Sequence, residues 1–148
     1  MVGSTLEGGT MFEIILTAVD GSEHDRKALA ATKELAKLAE GTVRVVHVRE
    51  GDFIGRAGVV AREEHDEASK LVDQTVAELV AAGVKATGTL RSSLSSLVAL
   101  EILEEAEECS ASVIIMGSRG VSDLKGLLVG STTHKVLHLG RLPVLVMR

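Results

Sequence analysis

The sequence offers little to stack on nucleic-acid bases or to attract a phosphate backbone. Phe12 and Phe53 are its only aromatic residues, tryptophan and tyrosine are absent, and the formal net charge at pH 7 is −5. Single-stranded nucleic acids are held by aromatic side chains and positively charged grooves, and phosphate backbones in general attract basic surfaces. We therefore expect no nucleic-acid partner.

Cysteine, proline and long apolar segments are equally scarce. Cys109 is the single cysteine and Pro143 the single proline, so no internal disulfide can form, as is usual in a reducing compartment. No apolar run approaches the roughly 20 residues that span a bilayer. Residues 1–10 lack the basic and apolar regions of a signal peptide. We expect a cytoplasmic protein with no membrane partner.

The length suits one domain, since a chain of 148 residues can bury a sizeable core without metals or disulfides. Residues 1–10 are predicted to be a flexible tail and residues 11–148 a single domain. Hydrophobic residues make up 45% of the chain, and most are alanine, valine, leucine or isoleucine. This composition favours a core of parallel strands covered by helices.

Short apolar runs alternate along the chain with amphipathic helical patterns. The apolar runs predict buried strands at residues 12–19, 42–49, 84–90, 112–116 and 143–147. Apolar residues spaced by three or four predict helices between them, whereas the glycines of residues 50–60 predict a mobile loop. The order βαβαβαβαβ favours parallel pairing through right-handed crossovers. We therefore predict a Rossmann-like α/β fold, a five-stranded parallel sheet with helices on both faces.

Several polar residues have more than one interpretation. Ser22 and Asp25 form a pattern typical of a helix N-cap, which would leave Asp20 free to face a ligand, although Asp20 could itself be the cap. His47 is predicted to be a hydrogen-bonded core histidine. The helix before Cys109 carries a run of acidic residues that predicts a solvated face: Glu101, Glu104, Glu105, Glu107 and Glu108.

Two other histidines raise the question of a metal site. His134 and His138 are four residues apart on a predicted helix, a spacing that could bind one metal ion. No third ligand is evident near them in the sequence. We therefore expect surface or dimer-contact histidines and no metal site.

The most informative stretch follows the fourth predicted strand. Residues 117–120 (Gly-Ser-Arg-Gly) are separated by nine residues from residues 130–133 (Gly-Ser-Thr-Thr). Glycine lets the backbone turn sharply and lets a ligand approach closely, and a helix beginning at Gly130-Ser131 offers unpaired amides and a positive dipole end to an anion. Alternatively, the glycines only form a turn and Ser131 only caps a helix. Neither a P-loop nor a Gly-x-Gly-x-x-Gly motif is present.

Ligands of open parallel sheets bind beyond the carboxyl ends of the strands, where the strand order reverses. Three predicted strand ends therefore matter most, at Asp20, at residues 48–50 and at Gly117. The glycine-rich stretch begins at the last of these. A ligand that reaches both Asp20 and the glycines would lie across this edge of the sheet.

Together these segments resemble the universal stress protein family. Its nucleotide-binding members carry Gly-x2-Gly-x9-Gly-(Ser/Thr), which residues 117–131 match. The resemblance covers residues 12–148 and includes Val19-Asp20-Gly21-Ser22, His47-Val48 and residues 143–146. It implies the adenine nucleotide alpha hydrolase-like fold, an adenine nucleotide (ATP or AMP) as ligand, and a homodimer that pairs residues 143–147.

The resemblance also implies a role for each matching position. The backbone near Ala18 and at Val48 would receive the adenine, and Asp20 and Gly117 would lie beside the ribose and the first phosphate. The glycines and hydroxyls that follow would hold the phosphate chain, with or without Mg²⁺ or Mn²⁺. The implied binding residues are Ala18, Val19, Asp20, Val48, Met116, Gly117, Arg119, Gly120, Gly130, Ser131 and Thr132.

Three functions remain open at this point. The first is a nucleotide-binding regulatory or sensor protein of the stress response that acts as a dimer. The second is a slow ATPase, for which only Arg119 and Lys125 lie near enough in sequence to supply cationic charge and for which we predict no catalytic residue. The third is a protein-interaction module without bound nucleotide.

Overall fold

A computed structural model of the chain describes residues 11–118 and 129–148. The predicted tail at residues 1–10 lies outside the described residues, as do Arg119, Gly120 and Lys125 of the predicted loop. The elements in chain order are β1 (Ile14–Ala18), α1 (Asp25–Ala39), β2 (Thr42–Ile54), β3 (Gly58–Ala61), α2 (His65–Ala81), β4 (Lys85–Leu94), α3 (Val98–Glu108), β5 (Val113–Gly117), α4 (Ser131–Leu139) and β6 (Val144–Met147).

The sheet is mainly parallel, as predicted. β2 pairs in parallel with β1 and β4, β1 pairs with β5, and β5 pairs with β6. The chain therefore moves outward on one side of β1, through β2 to β4, and on the other side through β5 to β6. The predicted α/β class is confirmed, and the strand order reverses between β1 and β5.

Residues 50–60 do not form the predicted loop. β2 continues to Ile54 and forms a hairpin with β3, which adds an antiparallel sixth strand to the sheet. Gly55 and Gly58 supply the positive φ angles of the turn, +39° and +74°. The β-branched residues on both sides of this turn favour strands, and they outweigh the glycines that suggested a loop.

Both faces of the sheet are covered by helices, which explains the nearly continuous apolar runs of its strands. Neighbouring side chains of a strand point to opposite faces, and both Ile15 and Leu16 are fully buried. Ile15 packs with residues of α1 and with Leu79 of α2. Leu16 packs with residues of α3 and with Val136 of α4.

The acidic side of α3 is not simply solvated, so that prediction is wrong for its central residue. Glu105 is only 2% exposed and accepts hydrogen bonds from Arg44 of β2 and Arg91 of β4. These arginines come from strands beneath the helix, so the helical pattern of α3 alone could not reveal them.

Within residues 11–118 and 129–148, no helix has both the length and the apolar character needed to cross a membrane.

Candidate functional site

A cavity of about 450 Å³ opens at the carboxyl ends of β1, β2 and β5, where the strand order reverses. This volume falls within the range of roughly 300–1,000 Å³ that is typical of small-molecule sites. Every predicted binding residue that the structure describes lines it: Ala18, Val19, Asp20, Val48, Met116, Gly117, Gly130, Ser131 and Thr132. Their role in binding stays a prediction.

The cavity has a second set of lining residues outside the predicted binding residues. Some are apolar, such as Val98 and Ile102, and others are charged or polar. The charged and polar members are Asp25, His47, Glu50, Arg62, Glu63, Ser95 and Thr133.

The turn between β1 and α1 is held by two carboxylates. The Asp25 carboxylate accepts hydrogen bonds from the backbone N–H groups of Asp20 and Gly21, at 3.2 and 2.8 Å. The Asp20 carboxylate accepts one from the N–H of Ser22, at 2.9 Å. The predicted N-cap role of Ser22 is wrong, because its buried hydroxyl has no partner within the described part of the chain. Asp25 reaches back to the turn instead.

The position of Asp25 in this turn gives its carboxyl group an unusually high pKa. Burial, and then the negative charge of neighbouring Asp20, raise the pKa of Asp25 from 3.8 to about 7. Its two backbone hydrogen bonds work in the opposite direction and do not overcome the burial. The cavity wall therefore contains a carboxyl group that exchanges its proton near neutral pH.

The wall formed by β2 contains a buried histidine, as predicted. His47 is 5% exposed; its Nδ1 lies 2.8 Å from the carbonyl oxygen of Val19 and its Nε2 lies 2.6 Å from Glu63 Oε1. The ring therefore joins β1, β2 and the segment before α2. The sequence reading missed Glu63 because it missed the hairpin that brings this segment back to β2.

The same hairpin brings Arg62 to the cavity. Its backbone N–H donates to the carbonyl oxygen of Glu50 at 2.8 Å, and its guanidinium binds both carboxylate oxygens of Asp52, at 2.6 and 3.1 Å. Burial raises the pKa of Glu50, although Arg62 partly offsets it. The apolar residues on both sides of Gly55–Gly58 are the sequence signal that could have revealed this arrangement.

The opposite wall is the N-terminal turn of α4. The N–H of Gly130 donates to the carbonyl oxygen of Ser118 at 2.6 Å, and the N–H of Ser118 donates to that of Met147 at 2.7 Å. The hydroxyl of Thr133 donates to the carbonyl oxygen of Gly117 at 2.9 Å. These bonds hold the start of α4 against the end of β5, so Gly117 and Gly130 of the predicted motif meet at the cavity.

This helix terminus suits an anion. The N-cap residue of α4, Gly130, has no side chain with which to cap the helix, and the first amides of a helix have no partner within the helix. Their partial positive charge favours negatively charged groups. Ser131 and Thr132 line the cavity at this turn, so a ligand there would reach backbone amides and hydroxyl groups together.

The described residues do not form a metal centre. No group of three or more histidine, cysteine, aspartate or glutamate side chains in residues 11–118 and 129–148 is placed to hold an ion. The rings of His134 and His138 stack in parallel with their centroids 6.3 Å apart. The donor sets of this part of the chain therefore do not fit a metal held by protein side chains.

The reversal of strand order, the cavity beside it and the helix terminus at Gly130 define an α/β domain with a candidate site for a small molecule. The chain belongs to the universal stress protein family, whose profile matches residues 11–148. This confirms the family that the sequence motifs indicated.

Individual relatives agree with this assignment. Universal stress protein YxiE of Bacillus subtilis is 33% identical over 93% of this chain and 100% of its own length. The structure of MJ0577 from Methanocaldococcus jannaschii matches with a TM-score of 0.76 and 27% identity, over 93% of this chain and 96% of the other. A universal stress protein from Archaeoglobus fulgidus, in complex with dAMP, shares the fold with a TM-score of 0.71 and 23% identity, over 93% and 99% of the chains.

Proposed function

We propose that this protein binds an adenine nucleotide, ATP or AMP, in the cavity and acts as a regulatory or sensor protein of the stress response. The observation that carries the proposal is the position of the uncapped α4 terminus. It lies on the same cavity as Asp20 and Val48, so one wall suits phosphates and the other suits a nucleoside.

The proposed placement follows the chemistry of the walls. The phosphates lie at Gly117, Gly130, Ser131 and Thr132, with Arg119 and Gly120 completing the motif. The Asp20 carboxylate accepts hydrogen bonds from sugar hydroxyls. The adenine lies near Ala18, Val19, Val48 and Met116, where the lining is mostly apolar.

Two further observations bear on the ligand. The Archaeoglobus fulgidus protein of the same fold was crystallised with dAMP, which supports an adenine mononucleotide in this class of cavity. Because the described side chains form no metal centre, a Mg²⁺ or Mn²⁺ ion would arrive bound to the phosphates of ATP, whose charge it would offset.

The charges of the described part of the cavity favour a regulatory role over hydrolysis. Phosphoryl transfer requires cationic groups on the transferred phosphate. Among the described cavity residues the only arginine or lysine is Arg62, and its guanidinium is engaged by Asp52. A slow ATPase remains the alternative and would release phosphate from ATP.

We also propose the following organisation. Residues 11–148 form one domain, preceded by a tail at residues 1–10, and the protein acts in the cytoplasm. Two copies pair through residues 143–147, because β6 lies at the edge of the described sheet and edge strands are available for pairing. Leu145 on this strand and Leu137 and Leu139 on α4 are exposed and would be covered.

The binding proposal can be tested by a charge at the α4 terminus. Thr132→Asp places a carboxylate where we expect the phosphates, and we expect AMP to bind more than tenfold more weakly by calorimetry because nearby like charges repel. The near-isosteric neutral variant Thr132→Asn is the control and should retain most of the affinity. A carboxylate favours a helix N-terminus, so Thr132→Asp should not unfold α4.

Each outcome of this experiment has a defined meaning. Equal AMP affinity of Thr132→Asp and Thr132→Asn would contradict phosphate binding at α4. Release of phosphate from ATP by the wild type, abolished in Thr132→Asp, would favour the ATPase. No binding of ATP or AMP to the wild type would leave the protein-interaction module.

A further inference from the structure

The hydrogen bonds of His47 require a proton that its neutral ring cannot supply. The carbonyl oxygen of Val19, at 2.8 Å from Nδ1, only accepts hydrogen bonds, and so does an ionised Glu63 carboxylate, at 2.6 Å from Nε2. A neutral imidazole carries one N–H, whereas an imidazolium donates from both nitrogens. Both contacts can form only if either the ring or the Glu63 carboxylate carries an additional proton. We call this pair of contacts, Val19–His47–Glu63, the bridge, and the additional proton the bridge proton.

Loss of that proton breaks one of the two contacts. A neutral ring donates a hydrogen bond either to Val19 or to Glu63. The other oxygen then faces the lone pair of the unprotonated ring nitrogen. An unpaired acceptor at a buried site is costly, and the contact of the ring with the Val19 carbonyl oxygen is buried. The Glu63 side chain is 29% exposed, so the contact that is lost with the proton is the one to Glu63, whose carboxylate can turn to solvent. The backbone of Glu63 remains tied by its carbonyl oxygen, which accepts from Arg49 Nε at 3.0 Å, so the expected change is confined to the side chains and charge of the cavity wall.

The charges around this bridge favour protonation when an anion arrives. Asp20 and Asp25 face the cavity from the β1–α1 turn, Glu50 from β2, and Arg62 from the segment beside Glu63. The pKa values of Asp25 and Glu50 are raised, first by burial and then by neighbouring carboxylates, which outnumber the cations among the described lining residues. A nucleotide adds further negative charge to this surface.

We propose that a nucleotide binds in the cavity together with a proton held between His47 and Glu63, so that its affinity rises as the pH falls. This inference rests on the proposed function. Coupling of binding to a proton is reciprocal: the nucleotide strengthens the bridge, and the bridge strengthens nucleotide binding. For one fully coupled proton the affinity changes by at most about tenfold per pH unit, because one pH unit corresponds to about 1.4 kcal/mol.

The variant Glu63→Gln keeps the contact with His47 but removes its need for the additional proton. A glutamine amide can donate to Nε2 of a neutral ring whose Nδ1–H still bonds Val19, so the contact no longer needs the extra proton. We expect the AMP affinity of the wild type relative to that of Glu63→Gln, measured by calorimetry between about pH 5 and pH 8, to fall by up to about tenfold per pH unit. The affinity of Glu63→Gln should fall less steeply and exceed that of the wild type at the alkaline end.

Glu64→Gln is the matched control. It removes the same charge one residue away, from an exposed side chain that does not line the cavity, and should follow the wild type. The phosphate of AMP also titrates in this range, but it contributes equally to all three proteins. If the AMP affinity of Glu63→Gln changed with pH as steeply as that of the wild type, the inference would be overturned.

The ring of His47 gives a second readout that does not depend on the ligand. If the ring carries the bridge proton, its ¹⁵N signals in the whole protein should show two protonated nitrogens at the acidic end of the series. They should change to one protonated nitrogen over the pH range in which affinity falls. One protonated nitrogen at every pH, with an unchanged AMP affinity, would overturn the coupling. Absence of AMP binding at any pH would overturn the proposed function as well, whereas binding without a difference in slope overturns this inference alone.

Discussion

Two groups of carboxylates in this molecule have opposite surroundings. The first, which we call the α3 cluster, surrounds two arginines; the second, which we call the cavity carboxylates, surrounds the candidate site. The α3 cluster consists of Glu101, Glu104, Glu105, Glu108, Arg44 and Arg91. The cavity carboxylates are Asp20, Asp25, Glu50 and Glu63.

In the α3 cluster each carboxylate has a cation. Arg91 contacts its glutamates at 2.7, 2.9, 3.0 and 3.2 Å, and Arg44 lies 3.2 Å from Glu105. Burial works against the charge of Arg91, but the hydrogen bonds to Glu101 and Glu105 raise its pKa nonetheless. Charge there is compensated, and the cluster joins α3 to β2 and β4.

The cavity carboxylates face one another with fewer cations. Asp25 lies close to Asp20, and its pKa rises to about 7. The pKa of Glu50 is raised by burial and by the negative charges of Asp52, Asp20 and Glu63. The difference teaches that acids held by two arginines join the elements of this fold, whereas the pKa values of Asp25 and Glu50 are raised where acids lie near one another at the candidate site.

The largest expected effect comes from removing the cation of the α3 cluster. Arg91→Met leaves buried Glu105 with Arg44 alone, and breaking a buried ion pair typically costs about 3 kcal/mol or more. We expect the free energy of unfolding, from urea titration at neutral pH, to fall by about that amount.

Arg62→Met is the matched control for this variant. It removes an arginine whose pairing with Asp52 is solvent-exposed, and such pairs add little stability. A loss for Arg91→Met no greater than that for Arg62→Met would contradict the distinction between the two groups.

A smaller effect of opposite sign is expected in the cavity. The pKa of Asp25 is higher in the folded chain than its ordinary 3.8, so the folded state binds the proton more tightly, and stability is lost as the pH rises from about 4 through about 7. The rise corresponds to at most about 4 kcal/mol, and partial access of solvent reduces this to about 2 kcal/mol. Asp25→Asn can still accept the N–H groups of Asp20 and Gly21, and should be more stable than the wild type by that amount at about pH 8 and equal to it at about pH 4.

Asp73→Asn serves as the control for Asp25→Asn, since Asp73 is exposed in the middle of α2. Its urea unfolding should keep the pH dependence of the wild type. If the stability of Asp25→Asn also shows the pH dependence of the wild type, the pKa of Asp25 is not raised in the folded protein, and the two groups of acids do not differ in the way described above.

The sequence predicted the parallel core because its strands are buried on both faces and therefore read as apolar runs: the strand predicted at residues 112–116 is observed at Val113–Gly117. It missed the β2–β3 hairpin because glycines were weighed above the β-branched residues around them. Glu105 and Arg91 could not be paired from the sequence, since a helical pattern does not show which strand lies beneath the helix.

The residues of the candidate site also fall into those that the sequence predicted and those that it did not. The glycine motif and the strand ends predicted one wall, and the described members of this set do meet at one cavity. Arg62 and Glu63 reach the cavity only through the register of the hairpin, and Asp25 reaches it by accepting the N–H groups of Asp20 and Gly21 in the β1–α1 turn. Local patterns predicted the contacts that lie near a motif, but not those that depend on tertiary pairing.

The central claim is that an adenine nucleotide lies between β2 and the start of α4. Titration of the ¹⁵N-labelled protein with AMP tests it most directly. We predict that amide signals of Val19, Val48, Gly117 and Thr132 shift together and saturate. Shifts confined to the second cavity at the opposite ends of the strands, around Lys85 and Cys109, or no shifts at all, would contradict the account.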